Sequence, residues 1–263
     1  MRITTFASGS SGNCVLVSMG HTHILLDAGI SFRRIKDHLS LSGLTPEDLS
    51  AVLVTHEHSD HISGLATMAK RCGVPVCAPR TVANHLRAAV PDVVRVLREI
   101  PVGEDFSAGD VTVRAFHTLH DTPESVGYRL SGDGGVFALA TDMGEVTEEI
   151  ENGLLGSDAV LIEANHDVDM LRMGPYPVYL KRRILSGHGH LSNENCAALA
   201  ARLAESGTKY IILGHLSREN NTPSLAYRTV SAALEGFHGG VQLCVAPASE
   251  RLTVEAEAAI CSR

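Results

Sequence analysis

The stretch THEHSDH, Thr55 to His61, sets three histidines and two carboxylates in one short run. Imidazole and carboxylate side by side are ligands for Zn, Mn or Fe. Without a metal, crowded neutral imidazoles serve no purpose in a core, and protonated ones repel one another. In extended chain, residues two apart share a side. His56 and His58 therefore point one way, and Glu57 and Ser59 elsewhere. Asp60 and His61 follow as the chain turns into a helix, and present a second group of ligands beside the first.

One loop cannot close two metal sites, so further ligands must come from other strand ends. AFHTLHD offers His117 and His120, ALATDMG offers Asp142, and IILGHLS offers His215. Each is a polar residue placed where an apolar strand has just finished. Strand ends gathered on one rim are where such sites form.

The elements that must position these groups are legible as alternating runs. RITTFA, NCVLVSM and HILLDAG read as strands joined by Gly/Ser turns, with His21 and His23 as exposed turn residues. SFRRIKDHLSLSG has helical spacing up to Gly43, and Thr45-Pro46 opens a further helical turn. AVLVT is a buried strand running straight into the histidine cluster. DHISGLATMAKRCG reads as one helix ending at Gly73, VPVCA as a strand, RTVANHLRAAV as a helix, and VVRVL as a strand. VTVRAF, SVGYRL and VFALAT are strands. DAVLIEA, KYIILG and VQLCVA are strands interleaved with the helices YPVYLKRRIL, NENCAALAARLAESG and SLAYRTVSAALEG. The order fits an α/β fold of αββα type, without excluding other α/β folds. No linker or low-complexity tract divides residues 1–263, so a single domain is expected.

Composition narrows the class. The chain is 44% hydrophobic and 20% charged, which suits a globular protein with a sizeable core. Neither a signal-peptide-like opening nor a stretch near the ~18 residues of a membrane helix is present, so no membrane and a cytoplasmic location are expected. Cys14, Cys72, Cys77, Cys196, Cys244 and Cys261 form no CxxC pair and read as reduced thiols. A net charge of −8 argues against a generic nucleic-acid coat but leaves room for a local cationic site made by metal ions.

The set HxHxDH, then His, Asp and His after later strands, resembles the metallo-β-lactamase superfamily across essentially the whole chain. SGSSGNC at 8–14, SGHGHLSNEN at 186–195 and LGHLSRENNTP at 213–223 resemble, more narrowly, its YycJ/WalJ family, related to the RNase Z and RNase J nucleases. The resemblance implies a metallo-β-lactamase αββα sandwich, two mixed β-sheets flanked by helices. It also implies a 5′ to 3′ DNA exonuclease. On the family pattern His56, His58 and His120 hold one divalent ion, Asp60, His61 and His215 the other, and Asp142 bridges them. His120 is preferred to His117 because HD followed by GY matches the family string. Two ions (Zn, Mn or Fe) would share a hydroxide that attacks phosphorus, with Asp60 orienting or accepting its proton.

The leaving 3′ oxygen then needs a proton. His190, before the helix NENCAALAARLAESG, matches the proposed general acid of RNase Z relatives, and Glu163 in LIEAN matches the carboxylate that holds it. His188 has the weaker claim; His38, His85, His166 and His238 read as surface or core histidines. Small residues in SGSSGN let backbone and hydroxyls meet a phosphate, so Ser10, Ser11 and Asn13 are candidate substrate contacts, with Ser192, Asn193 and Asn221 near the other motifs. Lys181-Arg182-Arg183 reads equally as a DNA-backbone track or a solvated helix face. Only about seventy residues separate Asp142 from His215, too few for an RNase J-like inserted domain. Nucleic acid, DNA in preference to RNA, must be held by the core domain or by a homodimer. The competing readings are a small-substrate phosphodiesterase, thioesterase or lactamase on the same scaffold, and an adaptor that has lost the chemistry.

Overall fold

The computed structural model describes residues 1–237 and 240–257; His238 and Cys261 lie outside them. The first sheet holds β1 (Arg2–Ala7), β2 (Cys14–Met19), β3 (Thr22–Leu26), β4 (Ala51–Leu53), β5 (Val76–Pro79) and β6 (Leu97–Ile100) in chain order. The second holds β7 (Asp105–Ala108), β8 (Val111–His117), β9 (Val126–Gly132), β10 (Gly135–Ala140), β11 (Ala159–Glu163), β12 (Tyr210–Gly214) and β13 (Gln242–Val245), also in chain order. The chain then returns to the first sheet, where β14 (Leu252–Glu255) pairs antiparallel with β1. Each sheet is mixed in the same way. β1 to β3 are antiparallel and β3 to β6 parallel. β7 to β10 are antiparallel and β10 to β13 parallel.

Side-chain alternation puts one face of each sheet into a shared core. Ile3, Val17, Leu26 and Leu53 meet Val113, Leu130, Phe137 and Leu161. The outer faces are covered by helices, as an amphipathic stripe requires. α1 (Phe32–Ser40), α3 (Leu65–Arg71) and α4 (Arg80–Ala89) cover the first, and α5 (Glu148–Leu154), α8 (Asn193–Glu205) and α9 (Pro223–Leu234) the second. This is the expected αββα sandwich. β4 is buried on both faces, which is why AVLV reads as an unbroken apolar run. The Tyr128 hydroxyl crosses from β9 to donate to the Val54 carbonyl at 2.7 Å, tying the second sheet to the segment that carries the histidine cluster.

Several expectations are corrected. The stretch 59–73 is two helices, α2 (Ser59–Ile62) and α3, broken at Gly64. There the amide donates to Ala28 at 2.8 Å, and a Cβ would sit 2.1 Å from the Ile30 carbonyl. Only a residue without a side chain lets these backbones meet. VVRVL is not a strand: Pro91–Val93 is a 3₁₀ turn, and β6 starts at Leu97. His23 lies in β3, not in the turn, with its Nδ1 2.9 Å from the Ser18 hydroxyl. β7, α5, α6 (Val168–Met173) and β14 were not expected; the first and last are four-residue edge strands, too short for a periodic signal. Among the described residues no helix is long and apolar enough to cross a membrane.

Candidate metal centre

The C-terminal ends of β4, β8, β10 and β12 meet on one rim. β4 delivers His56 and His58, α2 delivers Asp60 and His61, β8 leads to His120, β10 to Asp142 and β12 to His215. Their ligand atoms fall into overlapping groups, each within 4.8 Å: His56, His58 and His120; Asp60, His61 and His215; His56, His61 and Asp142. Asp142 lies between the sets, its Oδ2 3.3 Å from both His61 Nε2 and His215 Nδ1 and its Oδ1 3.7 Å from His120 Nε2. His117 is outside the cluster. It is half exposed, with Nδ1 3.0 Å from Glu149.

The rim is strained where it matters. Among the described residues, the non-glycine positions with positive φ are Asp27 (59°), Asp142 (57°) and His215 (54°). Asp27 and His215 immediately follow β3 and β12, Asp142 lies two residues beyond the end of β10, and each faces the cluster. Such conformations persist only where the surroundings over-determine them. His215 is held by its amide donating to Ser8 Oγ at 2.9 Å and by Asn165 Nδ2 donating to its carbonyl at 2.9 Å. Asp27 accepts from the Thr55 amide (2.8 Å) and hydroxyl (2.9 Å), and its Oδ2 lies 2.7 Å from His61 Nδ1. That contact fixes the His61 tautomer so that Nε2 carries the ligand lone pair.

Protonation follows from burial and neighbours. Burial, helped by His61, pushes the His56 imidazole well below its ordinary range, and burial lowers His120 too; both are neutral, as ligands must be. Burial opposes charge on His61, but the Asp27 and Asp142 carboxylates outweigh it and raise its pKa, so without a cation Nε2 holds a proton that an arriving metal must displace before the lone pair is free. Burial likewise pushes Asp142 up, and His215 and His61 more than reverse it, leaving the carboxyl ionised.

The fit to a cation rests on unspent atoms. His56 Nε2, Asp142 Oδ2 and His215 Nδ1 are buried and have no hydrogen-bond partner. Buried polar atoms are ordinarily satisfied. Three orphans of ligand type converging on one rim are what a bound cation would complete, so the residues present fit divalent metal.

Beside the cluster, His190 Nδ1 lies 2.7 Å from Glu163 Oε1. Glu163 is fully buried, and its Oε2 accepts from the Met143 amide at 2.9 Å. Burial lowers the His190 pKa, but the Glu163 carboxylate raises it further, to about 9. His188 is exposed. Ser10 and Ser11 are exposed, and Ser11 accepts from Arg218 at 2.8 Å. Asn13 is buried; it accepts from the Gly9 amide and its Nδ2 reaches His61 Nε2 at 3.0 Å. Ser192 caps α8, and Asn193 and Asn221 hydrogen-bond each other at 2.9–3.0 Å, with Asn221 also holding the Ala164 carbonyl.

Two residues went unread in the sequence. Asp27 ends the apolar strand HILL just as Asp142 and His215 end theirs, and that shared signal would have found it. Asp121 has Oδ1 3.2 Å from His120 Nε2 and 4.0 Å from His58 Nε2, while Oδ2 pairs with Arg183. Nothing in the sequence marks that long-range pairing.

Residues 22–215 match the family model described as a beta-lactamase superfamily domain. The architecture and the His/Asp rim therefore define a metallo-hydrolase of the metallo-β-lactamase class. The chain is 39% identical to Exodeoxyribonuclease YycJ of Bacillus anthracis over 92% of each chain. It is 39% identical to Exodeoxyribonuclease WalJ of Streptococcus pneumoniae over 87% of this chain and 86% of that one. It belongs to the YycJ/WalJ family of that superfamily. In fold it is similar to Zn²⁺-bound PqqB from Methylobacterium extorquens, with a TM-score of 0.73, 19% identity, and 97% and 100% of the two chains covered.

Proposed function

We propose that this metallo-hydrolase of nuclease type is a 5′ to 3′ exonuclease on DNA, with His190 as the general acid for the leaving 3′ oxygen. The observation that carries the reading is the His190–Glu163 pair, 2.7 Å apart at the edge of the ligand cluster. The relatives named exodeoxyribonucleases support the choice of DNA. His56, His58 and His120 would hold one divalent ion and Asp60, His61 and His215 another, with Asp142 shared between them. When bound, Zn, Mn or Fe would supply Lewis acidity, activating water and offsetting charge on the phosphate.

The chain's own residues do the rest. Glu163 occupies Nδ1 of His190, so Nε2 is the nitrogen left to deliver a proton. The Glu163 carboxylate raises the His190 pKa and so favours the protonated form that a general acid needs. Asp60, partly exposed, orients the attacking water or accepts its proton. Ser10 and Ser11 offer exposed hydroxyls to a phosphate. Asn13, Ser192, Asn193 and Asn221 act on substrate mainly by shaping the loops they tie.

A second reading, a small phosphodiesterase, draws on one observation: the cavity beside His190 is only about 190 Å³. One assay separates the two. End-labelled, 5′-phosphorylated single-stranded and duplex DNA, with RNA alongside, is incubated with Mn²⁺ or Zn²⁺. Stepwise shortening from the 5′ end is expected. Turnover of a small diester with every polymer left intact would transfer the assignment to the second reading.

A further inference from the structure

Between the ligand cluster and helix α7 (Val178–Ile184) lies that cavity of about 190 Å³. Ser10, His190 and Ser217 line the reaction side, and Tyr176, Arg183 and Ile184 the other. The volume falls below the roughly 300–1,000 Å³ of a drug-sized site, so it admits one ring system rather than a stretch of polymer. The segment 173–183, which lines that far side, is unlike the rest of the surface. Met173 is 87% and Tyr179 74% exposed, with Val178 also in solvent. They run into Lys181-Arg182-Arg183. Lys181 is anchored by donating to the Arg172 carbonyl at 2.7 Å, Arg183 is anchored on Asp121, and Arg182 is exposed.

One exposed ring, Tyr179, and the partly exposed Tyr176 run directly into three cations on a chain of net charge −8, which concentrates base-stacking and phosphate-binding groups in one place. The place is the mouth of the cavity that contains His190. We propose that segment 173–183 is a platform for single-stranded DNA, and that the cavity receives one unpaired nucleotide beside the scissile bond. Tyr176 stacks on its base and Arg183 meets its phosphate. This rests on the nuclease reading and deepens it. Arg183 suits the task because its partner Asp121 lies 3.2 Å from His120 Nε2, so a phosphate that recruits Arg183 is already beside the cluster. A base that enters the cavity must first leave its partner strand. Frayed or single-stranded ends are therefore preferred to blunt duplex.

The test uses the full chain loaded with Mn²⁺. The readout is kcat/KM for a 5′-phosphorylated single-stranded oligonucleotide divided by kcat/KM for bis(p-nitrophenyl) phosphate. Tyr176→Ala, and the double change Tyr179→Ala with Arg182→Ala, are each expected to lower this ratio about tenfold, near the low end of what one stacked base is worth. Tyr176→Phe should restore it, because the ring and not the hydroxyl does the stacking. A ratio unmoved in both alanine variants overturns the platform while the nuclease reading stands. A wild type that hydrolyses the small diester but no DNA removes both together. A wild-type dimer that the double variant converts to monomer, with the ratio following, would make the segment a self-association surface and overturn the platform.

Discussion

Two His–carboxylate pairs flank the same rim, one from each sheet. Asp27 holds His61 at the end of β3, and Glu163 holds His190 at the end of β11; both contacts are 2.7 Å and both carboxylates are buried. They differ in exposure. The His61 side chain is 0% accessible, while that of His190 is 23% accessible. A metal ligand needs its lone pair fixed and its solvent removed. A proton donor must still reach a leaving group. On the proposed reading the same device serves two roles, and the depth at which each sheet end places the imidazole decides which.

The comparison breaks most severely if the ligand side is not a metal site. His58→Ala and Asp142→Ala should each abolish hydrolysis, by several kcal/mol or on the order of 10³-fold and more, together with loss of bound metal. Metal content and rate on the same sample check this; full activity with less metal would remove the ligand roles. Next is the donor side. His190→Ala should slow DNA hydrolysis by about 10²–10⁴-fold with metal retained. The loss should be far smaller with a p-nitrophenyl diester, whose leaving group needs no proton. Equal losses on both substrates would make His190 a structural residue.

Asp27→Asn sharpens the contrast at the next scale. It keeps the shape but removes the charge that holds the His61 tautomer, and should weaken metal affinity or activity about 10–100-fold. Chelator competition measures it. Glu163→Gln, by contrast, should leave metal affinity closer to wild type. If the two variants weaken metal binding alike, the division of labour between the sheets is wrong.

The difference between the halves also explains what the sequence disclosed. In the first sheet the ligands are local: His56, His58, Asp60 and His61 sit in one strand-to-helix junction, and their density is visible without a fold. In the second, His120, Asp142, Glu163, His190 and His215 are spread over nearly a hundred residues. Each alone resembles any polar residue after a strand, and the family resemblance was needed to assemble them. Asp27 carries the same strand-end signal, but its pairing is not legible in the sequence, since it depends on φ of 59° and on Thr55 folding back to it. The sandwich was legible from alternation of strands and helices. The break at Gly64 was not, because it depends on Ala28 and Ile30 from a distant turn.

Two glycines carry the comparison to its smallest test. A Cβ on Gly29 would lie 1.6 Å from the Asp60 carbonyl, in the loop that seats the ligands of the first sheet. A Cβ on Gly144 would lie 2.3 Å from the Gly187 carbonyl carbon, in the loop leading to His190. Both obstructions are backbone, which cannot rotate away as a side chain can. Gly29→Ala and Gly144→Ala should each cost about 1–3 kcal/mol, with Tm falling about 2–4 °C per kcal/mol. Their functional signatures should diverge. Displacing Asp60 and His61 lowers metal affinity; displacing the segment before His190 lowers kcat on DNA with metal still bound. Calorimetry, chelator competition and turnover on the two variants check this, and a common loss of metal in both would mean that the two strand-end regions are not separable.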